Sequence, residues 1–186
     1  GIAVPAALPQ GRGRQAAGLP SVSTIHDIFP WWPRSEPVVE RASRTDCEDF
    51  AAIHAASFHR GWGAEDIAAM LADRAVVAHV VRRRQGGEVA GFILSRVAAD
   101  EAEILTVAVA PRLRGRGLAA RLLAAHVPEL MRAGMRNLFL EVEAGNDPAL
   151  RLYARQGFRE IGRRKGYYRR AEGPAANALV LARDMI

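Results

Sequence analysis

Residues 106–125 read TVAVAPRLRGRGLAARLLAA, and they carry more structural information than any other stretch of this chain. The stretch starts as an apolar strand, passes through a loop rich in arginine and glycine, and ends in residues without β-branching, which favour a helix. Gly115 and Gly117 let a bulky anion approach the backbone because no Cβ blocks it, and Arg114 and Arg116 add positive charge. A helix N-terminus also favours negative charge through its unpaired N–H groups and its dipole. The stretch therefore predicts an anion-binding turn between a strand and a helix.

The loop narrows the choice of anion. It lacks the Gly-x-x-x-x-Gly-Lys-Ser/Thr pattern of a P-loop, and Ala120 stands where a dinucleotide-binding fingerprint needs its third glycine. It matches the pattern Arg114-x-x-Gly117-x-Ala119, which resembles the Arg/Gln-x-x-Gly-x-Gly/Ala motif of the GNAT acetyltransferase superfamily. The motif binds the pyrophosphate of acetyl-CoA in that superfamily. A surface loop before an ordinary helix is the alternative for these residues alone.

The composition is that of a globular chain with a local excess of positive charge. The 186 residues are 49% hydrophobic and carry a formal net charge of +6. Residues 159–170 include six basic residues and one acid, so most of the excess lies in one patch. Such a patch is compatible with contact to phosphate, nucleic acid or a ribosomal surface, and equally with a solvated strand end.

The cysteine, histidine and apolar residues limit the cellular compartment and the kind of functional site that we expect. Cys47 is the single cysteine, which excludes an internal disulfide and favours the cytoplasm. The five histidines do not occur at metal-ligand spacing, so we expect core or surface histidines and no metal. The longest apolar runs are too short to span a membrane, so no membrane partner is expected.

Periodicity predicts one α/β domain at residues 38–186 and a disordered extension at residues 1–37, which is rich in Gly, Pro, Ala and Gln. Strands are predicted at residues 38–41, 76–81, 89–97, 103–109, 137–143, 158–164 and 178–185. Helices are predicted from a capping box Thr45-x-x-Glu48 and at residues 64–71, 118–133 and 148–156. This order gives a mixed central sheet of about seven strands with helices on both faces.

The strand at residues 137–143 breaks the pattern of a buried central strand. Phe139, Glu141 and Glu143 share one face, and a strand covered on both sides should be apolar on both faces. Glu141 therefore lies near water at a cleft, or is costly to bury, unless the strand is a solvent-facing edge. Downstream, Asn146 stands at an N-cap position and Tyr153 lies among apolar residues, so capping and core packing are their ordinary roles.

Residues 140–158 read LEVEAGNDPALRLYARQGF and closely resemble the ribosomal-protein N-terminal alanine acetyltransferases, the RimI-like branch of the GNAT superfamily. The pattern of that branch is Leu-Glu-Val, then Ala-x-Asn, then Ala-x-x-Leu-Tyr-x-x-x-Gly-Phe, and each element is present here at matching spacing. The similarity runs from about residue 53 to residue 185. Ala119 replaces the commoner glycine, and residues 1–37 have no counterpart.

The resemblance implies a role for each matching residue. Glu141 would be the general base, and Tyr153 would be the general acid toward the coenzyme thiolate. Backbone groups of Val107, Ala108 and Val109 would pair with the pantetheine arm of acetyl-CoA like an added strand. The remaining coenzyme contacts would come from Arg114, Gly115, Arg116, Gly117, Leu118, Ala119 and Ala120 at the pyrophosphate and from the side chain of Asn146.

The chemistry agrees with these implied roles. Acetyl transfer needs a neutral amine, and an α-amine, with a pKa of about 8, is easier to deprotonate than a lysine, with a pKa of about 10.4. A carboxylate can serve as the base for an α-amine, and no metal is required. We therefore predict an acetyl-CoA-dependent acetyltransferase that modifies an N-terminal alanine, with a ribosomal protein as partner.

Two other interpretations stay open. The same fold and coenzyme could serve a lysine side chain or a small amine as acceptor. A basic ribosome- or RNA-binding module is the non-enzymatic interpretation, and it rests on the basic residues 163–170 with Tyr167 and Tyr168 among them. No RNA-binding module signature occurs in the sequence, so a direct nucleic-acid function is not expected.

Overall fold

A mixed sheet of seven strands forms the centre of the computed structural model, which describes residues 36–58, 61–168 and 176–185. The strands are β1 (Val38–Arg41), β2 (Val76–Arg82), β3 (Val89–Ala98), β4 (Glu101–Val109), β5 (Asn137–Glu143), β6 (Arg159–Tyr168) and β7 (Ala176–Asp184). Their order in the sheet is β1-β2-β3-β4-β5-β7-β6, and all neighbours are antiparallel except β4 and β5. The predicted fold class and element order are confirmed. The expected extension lies almost wholly outside the described residues, so its boundary after residue 37 stays a prediction.

Within the described residues, four α-helices cover the sheet on both faces, as the sequence predicts. They are α1 (Cys47–Ala55), α2 (Ala64–Ala72), α3 (Leu118–Arg132) and α4 (Asp147–Arg155). Phe50 of α1 stacks on Phe92 of β3 with ring centroids 4.1 Å apart, while His126 of α3 lies 2.7 Å from the hydroxyl of Ser95 on the same strand. Residues three apart on a strand point to opposite faces, so α1 and α3 lie on opposite sides of the sheet.

The start of α1 differs from the prediction. The capping box expected at Thr45 and Glu48 is wrong, because Ser43 and Asp46 form it: the Ser43 N–H donates to Asp46 Oδ2 at 2.9 Å. A single 3-10 turn, Arg44–Asp46, precedes the helix and moves the box two residues upstream. Asp46 is buried, and Arg82 Nη2 donates to its Oδ1 at 2.5 Å, so the same carboxylate caps the turn and pairs with β2.

A chain of buried hydrogen bonds joins the sheet to α3, and the sequence spacing did not reveal it. His126 Nε2 lies 2.7 Å from Ser95 Oγ, and His126 Nδ1 lies 2.8 Å from His79 Nδ1. His79 Nε2 in turn lies 2.9 Å from Glu129 Oε2, and Arg41 pairs with the other oxygen of that carboxylate. The carboxylate only accepts, so His79 Nε2–H donates to Glu129. Burial lowers the pKa of both histidines and keeps them neutral, and with neutral rings His126 Nδ1–H donates to His79 Nδ1 while the Ser95 hydroxyl donates to His126 Nε2.

The parallel pair of β4 and β5 opens part-way along its length. Paired residues run from Glu101 and Asn137 to Ile104 and Leu140, where the described register ends. Both strands continue beyond that point, β4 to Val109 and β5 to Glu143. A gap therefore opens within the sheet, between the C-terminal halves of two neighbouring strands.

A bulge marks the place where the gap begins. On the β3 side of β4, Leu94 lies opposite Thr106 and Ser95 lies opposite Ile104, so Leu105 is the extra residue. A bulge bends its strand and increases the local twist. The bend at Leu105 accounts for the departure of β4 from β5 one residue after their last pair.

Candidate active site

Backbone groups of Val107 and Val109 face the gap between β4 and β5. The N–H of Ala110 donates to the carbonyl of Ala90 at 2.9 Å, so Ala110 directs its backbone groups toward β3. Because this direction alternates along a strand, Ala108 also faces β3, while Val107 and Val109 face the open side. Of the three residues expected to pair with a ligand as an added strand, two therefore have backbone groups directed at the gap.

The glycine loop begins the helix with exposed backbone. Gly115 and Gly117 both have φ of +75°, a conformation that other residues adopt at a cost. Gly117 is the N-cap of α3 without a side-chain capping bond, so the N–H groups of Leu118, Ala119 and Ala120 have no partner inside the helix. A Cβ built at either glycine would meet nothing within 4 Å. The loop thus combines donors, a helix dipole and open space, which suits an anion.

Arg114 holds the glycine loop in place through its side chain, a role that the sequence did not predict. Its Nε donates to the carbonyl of Val109 at 3.2 Å, and its Nη2 donates to Ser57 Oγ at 2.8 Å. These bonds tie the glycine loop to the end of β4 and to the segment after α1. Arg116 is exposed, so its charge stays available beside the loop.

Glu141 lies on β5 just beyond the last residue paired with β4. The strand has β4 on one side and β7 on the other, so Glu141 is not on a sheet edge. Its side chain is 22% exposed, and its Oε1 accepts a hydrogen bond from Arg164 Nη1 at 2.6 Å. The carboxylate therefore stands half-buried at a gap, the cleft position that its break in the apolar pattern suggested.

Asn146 and Tyr153 both fulfil the ordinary roles that their positions suggested. Asn146 Oδ1 accepts the N–H of Ala149 at 3.2 Å and caps α4, while its exposed amide nitrogen remains the group that a ligand could use. Tyr153 is buried and meets Phe158 edge to face, with ring centroids 5.5 Å apart. Neither role excludes a second function.

The topology brings these groups to one edge of the sheet. Because β4 and β5 are parallel, their C-terminal ends lie at the same edge. The glycine loop follows the end of β4, while Glu141 and Asn146 lie at and just after the end of β5. A phosphate-sized anion site and a half-buried carboxylate are thereby placed on the two sides of one gap.

Residues 30–158 match the acetyltransferase (GNAT) family. The chain belongs to this family. It is 37% identical over 98 residues to the ribosomal protein bS18-alanine N-acetyltransferase of Escherichia coli, covering 53% of this chain and 66% of that protein. It is also 37% identical over 110 residues to N-alpha-acetyltransferase RimI of Mycobacterium tuberculosis, covering 57% and 66%. The alignments thus span just under two thirds of these relatives.

The fold of the GNAT domain agrees with that of a solved relative. The crystal structure of the ribosomal-protein-S18-alanine N-acetyltransferase from Escherichia coli superposes with a TM-score of 0.73 at 28% sequence identity. The superposition covers 80% of this chain and 94% of that one. The chain therefore has the fold of a GNAT acetyltransferase domain.

A groove of about 450 Å³ lies on the same face of the GNAT sheet as Glu141, and the sequence did not predict it. Its lining comes from α2, from the segment before it and from two strands: Trp62, Asp66, Ala69, Met70, Arg96 and Leu105. Arg96 lies opposite Glu103, which lies opposite Phe139, and Phe139 and Glu141 point to the same face. Leu105 enters the groove from the bulge, and a bulge leaves no simple signal in a sequence.

The basic patch of the sequence is largely neutralised where the structure describes it. Arg159 pairs with Asp184 at 2.6 Å, and Arg163 pairs with Glu160 at 2.5 Å. The hydrogen bond from Arg163 lowers the pKa of Glu160. Since Arg164 pairs with Glu141, three of the four basic residues of β6 already have acidic partners.

Residues 36–58, 61–168 and 176–185 contain neither a cluster of metal-ligand side chains nor a helix that could span a membrane. In these ranges no group of three or more His, Cys, Asp or Glu side chains is arranged to hold a metal ion. None of the helices in these ranges is long and apolar enough to cross a membrane.

Proposed function

We propose that this chain transfers the acetyl group of acetyl-CoA to the N-terminal α-amine of a protein. The observation that carries the proposal is the gap between β4 and β5, with the glycine loop on one side and Glu141 on the other. The similarity to bS18-alanine N-acetyltransferases supports alanine as the first residue of the acceptor and a ribosomal protein as the partner. Such an acceptor would place the reaction in the cytoplasm.

The residues around the gap fit acetyl-CoA. The pyrophosphate would lie against the backbone of residues 114–120, where open space, free helical N–H groups and Arg116 favour a doubly charged anion. The pantetheine arm would bond to the backbone of Val107 and Val109 as an added strand, a common mode of recognition at an open sheet edge. The amide nitrogen of Asn146 would donate to the coenzyme from the β5 side.

Gly117→Asp is expected to abolish most acetyl-CoA binding in titration calorimetry. Aspartate at φ +75° strains the backbone, and its charge would repel the phosphates at the helix N-terminus. Gly134→Asp is the matched control, because Gly134 also has positive φ and open space but lies at the other end of α3. Equal acetyl-CoA affinity in the parent and in Gly117→Asp would contradict the assignment of the loop.

The chain's own groups can manage the protons of the reaction. Acetyl-CoA supplies an activated thioester when bound. Glu141 would accept the proton of the attacking amine, directly or through one water molecule, so that the nitrogen forms the new amide bond. Tyr153 would give a proton to the sulfur as the carbon–sulfur bond breaks, and a backbone N–H at the gap would polarise the thioester carbonyl.

The acceptor is tested with three peptides in a CoA-release assay. A peptide that starts Ala-Arg should be acetylated, and blocking its α-amine should abolish turnover. A blocked peptide with an internal lysine should also be inactive, because lysine is harder to deprotonate by about 2 to 3 pKa units. Comparable rates on the blocked lysine peptide would assign the chain to lysine acetylation while leaving the coenzyme site in place.

The RNA-binding alternative has less support than the sequence suggested. Its basis was the basic patch around β6, and the ion pairs of Arg159, Arg163 and Arg164 occupy much of that charge. Salt-dependent RNA binding without CoA release would favour this alternative over acetyl transfer.

A further inference from the structure

We propose that Arg164 is a positioning residue that holds the Glu141 carboxylate in place at the gap. This inference rests on the proposed function, because it takes Glu141 as the base. Arg164 reaches across from β6, two strands away, and its Nη1 donates to Glu141 Oε1 at 2.6 Å. Glu141 Oε2 has no hydrogen-bond partner among the described residues. In this arrangement Oε1 accepts from Arg164, and Oε2 would serve proton transfer.

The pairing of β5 with β7 and of β7 with β6 places Arg164 and Glu141 on the same face of the sheet. Arg164 lies opposite Ala178, while Gly162 lies opposite Val180, which lies opposite Glu141. The backbone of Gly162 has no positive φ, so its conformation does not require glycine. A Cβ built at Gly162 would meet the side chain of Val180 at 3.9 Å, an ordinary contact. The residues of β7 between Arg164 and Glu141 on this face, Ala178 and Val180, carry no charge.

The charge of Arg164 matters at Glu141 because this face of the sheet carries more acids than bases. The same face carries five further acids and two further arginines: Glu143 on β5, Glu101 and Glu103 on β4, Asp184 on β7, Asp66 on α2, Arg96 on β3 and Arg159 on β6. Asp184 pairs with Arg159 at 2.6 Å, and next to Glu141 itself β7 presents the uncharged Ala178 and Val180. Nearby carboxylates oppose the ionised form of Glu141, whereas a bonded guanidinium favours it.

Arg163 provides a matched control on the same strand. It is the preceding residue, it points to the opposite face, and its side chain is 64% exposed against 56% for Arg164. Its acidic partner is Glu160, at 2.5 Å. Arg163→Gln therefore removes an exposed arginine and an ion pair from β6 without touching Glu141.

The experiment measures kcat/KM for an Ala-Arg peptide from pH 5 to pH 8 in the parent, Arg164→Gln, Arg164→Lys, Arg163→Gln and Glu141→Gln. The kcat/KM of each variant is divided by the kcat/KM of the parent at the same pH. This ratio cancels the titration of the acceptor amine and any loss of folded protein that is common to both. We expect the Arg164→Gln ratio to be about threefold or more lower at pH 5 than at pH 8. Arg164→Lys should restore most of the loss, the Arg163→Gln ratio should stay flat, and acetyl-CoA affinity should not change.

The outcomes separate this inference from the proposed function. An Arg164→Gln ratio that is independent of pH, or that exceeds one, would overturn the positioning role while a large loss in Glu141→Gln keeps the base assignment. Full activity in Glu141→Gln would instead remove the base assignment on which both depend.

Discussion

Glu141→Gln and Tyr153→Phe should each lower turnover by about 10²–10⁴, because that is the usual cost of removing one general acid or base. Glutamine keeps the size of Glu141 and can still accept from Arg164, but it cannot take a proton from the amine. Phenylalanine keeps the edge-to-face packing of Tyr153 on Phe158 and removes only the hydroxyl. The turnover rates would be measured from the amount of CoA released at fixed times.

The controls for this prediction are binding, stability and a neighbouring carboxylate. Both variants should bind acetyl-CoA in calorimetry and unfold near the temperature of the parent, since neither residue lies in the glycine loop. Glu143→Gln is the matched control, because Glu143 lies two residues along the same face and acts on Glu141 only through its charge, so its loss should lower turnover far less. Parent-like turnover in both active-site variants would leave Glu141 and Tyr153 with structural roles only.

Local rules explain why much of the site could be predicted from the sequence. The left-handed φ of Gly115 and Gly117 and the helix that starts after them depend on neighbouring residues alone. The position of Glu141 follows from alternation within a strand of seven residues, which is likewise local. The separate family resemblance supplied the implied roles of Glu141 and Tyr153, which no local rule gives.

Contacts between distant segments could not be predicted in this way. Arg164 and Glu141 are 23 residues apart in the chain. They meet only because β7 pairs with both β5 and β6, which places the two side chains on one face of the sheet. His79 and His126 are 47 residues apart, and their contact depends on how α3 packs on β2. The groove beside Leu105 likewise depends on a bulge whose position is set by the pairing of β3 with β4. Each of these features is a property of the assembled sheet.

Acid should destabilise the fold well above the pH at which carboxylates protonate, through the buried pair His79 and His126. Burial lowers the pKa of His79 to about 4 and that of His126 to about 3, with the positive charge of Arg41 acting in the same direction. Burial also lowers the pKa of His54. In the unfolded chain these groups titrate at about 6.5, so the unfolded state binds protons first as the pH falls.

The sign and size of the effect follow from this difference. The full stabilisation is present above about pH 6.5 and is lost as the pH falls toward 4, by about 1.4 kcal/mol per pH unit for each neutral buried histidine. At pH 5 the pair should therefore cost on the order of 4 kcal/mol of unfolding free energy, a large part of the stability of an ordinary domain. The contact with His126 acts in the same direction, because a proton on His79 Nδ1 would face the N–H of His126 at 2.8 Å. The Glu129 carboxylate, 2.9 Å from His79 Nε2, acts in the opposite direction and reduces the loss.

Urea denaturation between pH 7 and pH 5 would measure this loss, in a window where ordinary carboxylates stay ionised. The double variant His79→Gln with His126→Gln keeps groups that can hydrogen-bond but removes both titrations, so its unfolding free energy should depend on pH less steeply by about two protons. Its absolute stability at pH 7 can be lower without affecting the comparison, since only the slope is used. A parent whose unfolding free energy is constant from pH 7 to pH 5, or a double variant with the slope of the parent, would show that the pair does not govern acid stability.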